Sequence, residues 1–316
     1  MANILIRLKK AEDDAAVAAL ICDSLNVWYK KNRGFEVVPS AEAATLYARV
    51  YDALDPDCCV VAEDAETGKI AGSCFFHPRP THVSLGIMTV APEYFGRKVS
   101  SKLLKYIVDV AERRNQPLRL VSSAMNLDSF SSYNRAGFVP TAVFQDMTVA
   151  VPPEGFPVDA PAGTTIRDAR PEDVPALVAL ETEIYGIDRS KDFAYFIENK
   201  DGIWGLSVLV DDATGEICGF VGSVKDPGSA MVGPGAARTE AQAAALIRTE
   251  LNRYAGKWSP IFLIPTDAKE LRAAMYALGA KNTEIHVAQV RGEAGPRNGV
   301  VFYLNYHNEC YPLQYL

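Results

Sequence analysis

Hydrophobic and polar positions follow the same course twice along these 316 residues. From Ile6, "IRLKKAEDDAAVAAL" opens extended, passes an acidic turn and continues with apolar residues at helical spacing. From Ile166, "IRDARPEDVPALVAL" does likewise. Ile6/Ile166, Arg7/Arg167, Glu12/Glu172, Asp13/Asp173, Ala16/Ala176, Ala19/Ala179 and Leu20/Leu180 correspond without a gap. The acidic residues suit a helix N-terminus, where they oppose the positive end of the dipole. Next, "VVAEDAETGKIAGSCFF" from Val60 and "SVLVDDATGEICGFVGS" from Ser207 each read as strand, Thr-Gly turn and strand, with Gly72 or Gly219 inside the second strand. That is the pattern of a β-hairpin. A third pair is "VAPEYFGRKVSSKLL" and "VGPGAARTEAQAAALIRTEL"; a fourth is "YNRAGF" from Tyr133 and "YALGAK" from Tyr276. Four landmarks in one order make an internal repeat. Between the copies, the Pro- and Gly-rich stretch Val151–Thr165 reads as a linker. The expected domains are therefore 1–150 and 166–316, joined by 151–165.

Within the first copy the predicted order is strand, helices, hairpin ("CCVVAED", "KIAGSCFF"), strand ("HVSLGIMTV"), helix ("SSKLLKYIVDVAERR"), strand ("LRLVSSA"), helix ("SFSSYNRAG") and strand ("TAVFQDMTVAV"). Hairpins followed by a crossover helix make a mixed sheet, so each copy is an α/β domain with helices flanking that sheet. The second copy repeats this order and ends with "GVVFYLNY".

Composition narrows the chemistry. A formal net charge of -7 leaves no basic surplus to displace counterions from nucleic acid. No span approaches the ~20 apolar residues of a membrane helix, and the N-terminus carries charges where a signal peptide needs an apolar run. The expectation is a cytoplasmic protein with neither nucleic-acid nor membrane partners. Cys22, Cys58, Cys59, Cys74, Cys218 and Cys310 form no CxxC pair, and His77, His82, His286 and His307 are scattered. Free thiols and no metal are expected.

The stretch Ala91–Leu104, "APEYFGRKVSSKLL", has the outline of a loop that turns backbone N–H groups and a helix N-terminus toward an anion, with Arg97 and Lys98 adding positive charge. It is followed by a strand and then by "NLDSFSSYNRAGF". In this order of elements the chain resembles the GNAT superfamily of acyl-CoA N-acyltransferases, and nearly its whole length resembles two GNAT domains in tandem. The family's pyrophosphate loop has the form Val-x-Pro-x-x-(Arg/Gln)-x-x-Gly-x-(Gly/Ala). Val90 and Pro92 match it, Gly96 fills a variable slot, and Phe95, Lys98 and Ser100 replace the three diagnostic residues. Ser100 is small enough for close backbone approach. If the Lys98 position needs a positive φ, a non-glycine residue there costs roughly 1–2 kcal/mol.

The resemblance implies acetyl-CoA as co-substrate and no metal. It places the cofactor on Met88, Thr89, Val90, Phe95, Gly96, Arg97, Lys98, Val99, Ser100 and Ser101, with Asn126 and Ser129 downstream. It also implies that Tyr133 protonates the departing thiolate, a task a phenol within hydrogen-bond reach can perform. Ser129 and Tyr133, four residues apart, share a helix face. Backbone N–H groups near Met88 and Val90 are implied as oxyanion donors, and Gly86 is expected to mark an irregularity in that strand. The amine's base is unassigned. His77 and His82 flank the turn "HPRPTH" and are either a base or water relay, or surface-loop histidines. Trp28 and Tyr29 fall where the family places variable substrate-binding helices; they either line an acceptor pocket or pack in the core.

In the second copy Val232 and Pro234 match the loop's start, but Ala237, Glu240 and Gln242 occupy its diagnostic slots, and "DAKELRAAMY" replaces the Asn-x-x-Ser-x-x-x-Tyr pattern. Arg238 is left as a possible phosphate contact. This half is expected to be degenerate and mainly structural. The resulting function is transfer of an acetyl group from acetyl-CoA to a primary amine of a small molecule within a ternary complex, by a monomer or homodimer. The alternative is a non-catalytic GNAT-fold protein that binds CoA or a metabolite. A third option is thiol release from acyl-CoA without an amine.

Overall fold

Arg7 and Asp13, shared by both copies, fix how each begins. In the computed structural model, which describes residues 3–226 and 229–302, strand β1 (Ile4–Leu8) leads through a short turn into helix α1 (Asp14–Arg33). The Arg7 guanidinium donates to both Asp13 oxygens at 2.7 and 3.0 Å, and Asp13 accepts from the Lys10 N–H at 2.8 Å. The second copy repeats this between β7 (Thr164–Asp168) and α5 (Val174–Tyr185), with Arg167 to Asp173 at 2.6 and 2.9 Å and the Arg170 N–H at 2.7 Å. The repeated residues are thus a lock between strand and helix.

Packing divides the described residues into two units, 3–120 and 121–302. The first holds α2 (Ala41–Leu54), β2 (Cys59–Asp64), β3 (Ile70–Pro78), β4 (Val83–Val90), α3 (Val99–Arg113) and the start of β5 (Leu118–Ser123). Its sheet runs β1-β2-β3-β4-β5, antiparallel except for the parallel pair β4/β5. Helices α1 and α2 bury Val17, Ile21, Tyr47 and Tyr51 against Val61, Phe75 and Ile87. Helix α3 covers the opposite face, where a Cβ on Gly72 would lie 2.9 Å from Val99 Cγ1. The glycine in the hairpin lets the helix approach.

The second unit holds α4 (Leu127–Arg135), β6 (Val139–Thr148), α6 (Ser190–Glu198), β8 (Trp204–Asp211), β9 (Ile217–Asp226), β10 (Ser229–Ala237), α7 (Glu240–Leu251), β11 (Ile261–Pro265), α8 (Lys269–Ala277), β12 (Lys281–Arg291) and β13 (Val300–Phe302), together with β7 and α5. Its order is β12-β6-β11-β10-β9-β8-β7, with β13 added antiparallel to β10. Only β10/β11 is parallel among these pairs of described residues. Leu246, Ile247, Tyr254, Phe262, Leu271, Met275 and Phe302 form its core.

The sequence repeat and the packing units have different boundaries. The copies meet in the linker 151–165, whereas packing changes at Leu120/Val121. Helix α4 and strand β6 belong to the first copy by sequence, yet β6 lies between β11 and β12 of the second. Of the terminal stretch "GVVFYLNY", Val300–Phe302 form β13; residues 303–306, His307 and Cys310 lie outside the described residues. Among the described residues no helix is long and apolar enough to cross a membrane.

Candidate active site

In the first unit the site is a turned loop and the edge of β4. Pro92–Tyr94 form one 3-10 turn, Tyr94 donates its hydroxyl to Asp64 at 2.6 Å, and the Arg97 guanidinium lies 5.3 Å from the Tyr94 ring centre. This anchors an otherwise exposed turn by a buried hydrogen bond and a cation–π contact. Gly96 has φ +75° and Lys98 has φ +62°, ψ +21°, so the position expected to need a left-handed residue does have one, and it is lysine. Lys98 is also the N-cap of α3 and places no side-chain hydrogen bond on the helix. Among the described residues, no acceptor is bonded to the amides of Gly96, Lys98, Val99, Ser100 or Ser101. Phe95 is exposed beside them, while Val99 turns its side chain into the core. Unbonded amides at a helix N-terminus next to Arg97 and Lys98 fit a pyrophosphate.

Strand β4 carries the irregularity expected at Gly86. Its register with β3 slips between Met88↔Cys74 and Leu85↔Phe76, so Gly86 and Ile87 together face Phe75 in a β-bulge. A Cβ at Gly86 would sit 2.8 Å from both His77 Nε2 and the Phe75 carbonyl, so no other residue fits without displacement. Pairing of β4 with β5 is confined to Val83–Leu118 and Ser84–Arg119. The Ala91 N–H bonds the Ala71 carbonyl at 2.9 Å. By antiparallel alternation Thr89 then faces β3 and the amides of Met88 and Val90 face the edge that has no strand partner among the described residues. The Thr89 side chain is buried against Ser73, 3.0 Å between hydroxyls.

Neither histidine is a surface-loop residue. His77 lies on β3, its Nδ1 2.7 Å from Asp55, which also receives the buried Arg79 guanidinium at 3.0 Å. Its ring meets Tyr51 edge-on at 4.5 Å, and Nε2 is buried with no partner among the described residues. His82 is buried between the Thr81 and Ser84 hydroxyls, 3.0 Å from each. Tyr29 packs in the core with Trp28 edge-on at 4.7 Å; Trp28 is half-buried. The Asp55–His77 pair was not legible in the sequence, because α2 and β3 bring together residues far apart in the chain.

In the second unit, α4 presents Asn126, Ser129 and Tyr133. Asn126 is the helix cap, its side-chain oxygen accepting from the Ser129 N–H at 3.1 Å. Tyr133 is buried at 7% exposure, its ring 5.8 Å from Phe138. Just before α4, Ser123 bonds Glu284 of β12, and the Ala124 N–H bonds the Ile285 carbonyl at 2.8 Å. Sequence reasoning missed Glu284; its one signal was a charge set into the strand pattern "EIHVAQV".

The second copy corrects the loop correspondence made from sequence. Val232 and Pro234 are not the start of a loop but lie inside β10, with Pro234 in a bulge. The Arg238 N–H bonds the Cys218 carbonyl at 3.2 Å as Ala91 bonds Ala71, and Gly219↔Ala237 repeats Gly72↔Val90. Ala237 therefore stands at the position of Val90, and only Arg238 and Thr239 connect it to α7. Thr239 and Gln242 form a capping box that satisfies the helix start from within. The Arg238 guanidinium is paired with Glu183 at 2.9 Å. Gly235 and Ala237, at the positions of Met88 and Val90, are paired with Phe302 and Val300 of β13. The Ala280 N–H bonds the Met275 carbonyl as Phe138 bonds Tyr133, so Met275, rather than Tyr276, stands where Tyr133 stands, and Ala268 caps where Asn126 caps.

These elements match known protein families. "Acetyltransferase (GNAT) family" matches residues 23–138, and "Acetyltransferase (GNAT) domain" matches residues 177–302. Among solved structures, a protein from Pyrococcus horikoshii, provisionally described as an acetyltransferase, is 13% identical with TM-score 0.74 over 98% of this chain and 96% of its own. A GCN5-related N-acetyltransferase from Sphaerobacter thermophilus is 17% identical with TM-score 0.63, over 91% of this chain and 95% of its own. A tandem GNAT protein from the clavulanic acid biosynthesis pathway is 16% identical with TM-score 0.58, over 93% and 99%. At such identities the likeness is one of fold. Curated protein sequences give no match. The chain belongs to the GNAT acetyltransferase family and consists of two GNAT domains in tandem.

Proposed function

We propose that the first copy binds acetyl-CoA and transfers its acetyl group to a primary amine of a small molecule, while the second copy binds none. The observation that supports this most is the turn at Gly96–Lys98. A lysine is held in a left-handed conformation, at a cost of roughly 1–2 kcal/mol, and the adjoining amides are left without protein acceptors. Backbone strain retained beside unbonded donors is what a ligand-shaped loop has. When bound, acetyl-CoA supplies an activated acetyl thioester. The amides of Gly96 and of Lys98 to Ser101, with Arg97, hold its pyrophosphate. The outward amides of Met88 and Val90 donate hydrogen bonds to the acetyl oxygen as negative charge develops on it. By its place in the family motif, Tyr133 returns a proton to the departing sulfur.

The test is titration calorimetry of acetyl-CoA into wild type and Gly96→Trp, followed by a primary-amine screen for thiol release. Binding lost in the variant, with amine-dependent thiol release by wild type, is the expected result. Binding that persists in the variant places the cofactor elsewhere. Binding without product from any amine favours a CoA sensor, and thiol release without amine favours hydrolysis.

A further inference from the structure

Strands β10 and β11 of the second unit pair only at Met231↔Ile261 and Val232↔Phe262, and further along β10 its partner is β13. Where β11 ends there is a cavity of about 400 Å³, a size within the usual range for small-molecule sites. Its apolar walls are Ala142 and Phe144 of β6, Pro265 of β11, Val301 of β13 and Tyr185 of α5. Three charged side chains also line it: Glu240 at the start of α7, Asp267 just before α8, and Arg297. Arg297 is engaged within the site, pairing with Asp267 at 2.9 Å and donating to the Thr141 carbonyl at 2.9 Å. Glu240 is half-buried, and its Oε2 accepts from the Leu271 N–H at 2.7 Å, in the first turn of α8. Its Oε1 has no hydrogen-bond or ion-pair partner among the described residues. Two carboxylates against one guanidinium leave the lining net negative.

We propose that this cavity binds a small organic ammonium ion with an apolar body, held by Glu240 and walled by Phe144 and Tyr185. Aromatic walls take the apolar body and attract the cation, and the open Glu240 oxygen receives its N–H in a charge-assisted hydrogen bond. The same lining disfavours an anion. The positive end of α8, which would attract one, already faces Glu240 through the Leu271 N–H. The contrast with the first copy is one of sign. There the helix after β4 starts beside Arg97, Lys98 and unbonded amides; here the helix after β10 starts with a capping box and Glu240. The site lies wholly within the second unit, and it requires no acetyl transfer by the first.

The test is titration calorimetry of 2-phenylethylammonium into the full-length protein, near neutral pH and without acetyl-CoA. Saturable binding with a Kd of about 1 mM or tighter is expected. The alcohol 2-phenylethanol, which keeps the ring and loses the charge, should bind at least about tenfold more weakly. Glu240→Gln keeps an oxygen to accept from Leu271 but removes the charge, and should weaken the ammonium ion at least about tenfold. Ala142→Phe, which fills the cavity, should abolish binding. No binding at that strength, an alcohol bound as tightly as the ion, a Glu240→Gln loss of less than about tenfold, or binding undiminished in Ala142→Phe overturns the proposal. Because the proposed acetyl transfer also takes an amine, hydrogen exchange on the wild type decides where the ion sits, and it needs no variant to fold. Adding the ion should slow exchange at residues 265–271 and 300–302. Slowing confined to residues 83–101 of the first unit, or none at 265–271, overturns the site.

Discussion

Lys98 and Gly86 show how single residues set the site against local preference. Lys98 occupies a backbone conformation suited to glycine, and under the proposed function its charge beside unbonded amides is the compensating gain. Lys98→Gly should therefore separate stability from binding. The variant should be about 1 kcal/mol more stable by chemical denaturation, yet bind acetyl-CoA more weakly by calorimetry because a cation is lost. Weaker binding together with lower stability would mean that the lysine holds the turn. Gly86 is the opposite case, since the residue type is forced. A methyl group there would meet His77 Nε2 and the Phe75 carbonyl at 2.8 Å, so Gly86→Ala must move the bulge. The amides of Met88 and Val90 follow it, and kcat should fall about 10- to 100-fold in a thiol-release assay. An unchanged kcat would separate the bulge from the chemistry.

The elements legible in the sequence were those set by short-range pattern. The two strand-to-helix openings, the Thr-Gly hairpins and the α3 and α4 helices all fall close to where periodicity places them, because hydrogen bonds between close neighbours decide them. The Arg7–Asp13 and Arg167–Asp173 locks give those openings a measurable acid sensitivity. Hydrogen bonds from Arg7 and Arg167 hold the Asp13 and Asp173 carboxyls below their ordinary value, against the opposing effect of burial. A carboxylate with a lowered folded-state pKa stabilises the fold above its unfolded value of about 3.9, and this is lost as pH falls through the folded value. Asp13→Asn and Asp173→Asn should each lose about 1–2 kcal/mol at pH 7. Urea denaturation should show the gap from wild type closing as pH drops below about 3.9. A gap that persists undiminished would assign the loss to packing instead. The buried pairs Asp55–His77, Glu284–Ser123 and Asp146–His286 were not legible, because each joins residues on separate elements that only the sheet brings together.

Over the whole molecule, the repeat was visible in the sequence but the exchange of strands was not. Identical pattern can be satisfied by pairing within a copy or between copies, and only the fold decides; β6 lies between two strands of the second copy. The same indifference misplaced the second loop, since Val-x-Pro at Val232 matched a motif although the residues are strand. Once register rather than motif aligns the copies, the second lacks each feature that the proposed function uses in the first. Its loop is reduced to Arg238 and Thr239, its tyrosine is Met275, and β13 covers the edge that β4 leaves open. One acetyl-CoA per chain is therefore the expected calorimetric stoichiometry. Gly235→Val sharpens the test, because a Cβ there would meet Phe302 Cδ2 at 2.6 Å and the Phe220 carbonyl at 2.7 Å, loosening β13. Overpacking of this kind should cost about 1–3 kcal/mol without creating a second site, since the link between β10 and α7 is too short to cradle a phosphate. Hydrogen exchange should report faster exchange at Val300–Phe302 in the variant, with the stoichiometry still one. A second equivalent bound in the variant would show that β13 alone had been closing a working site, and a second equivalent in wild type would remove the division of labour between the copies.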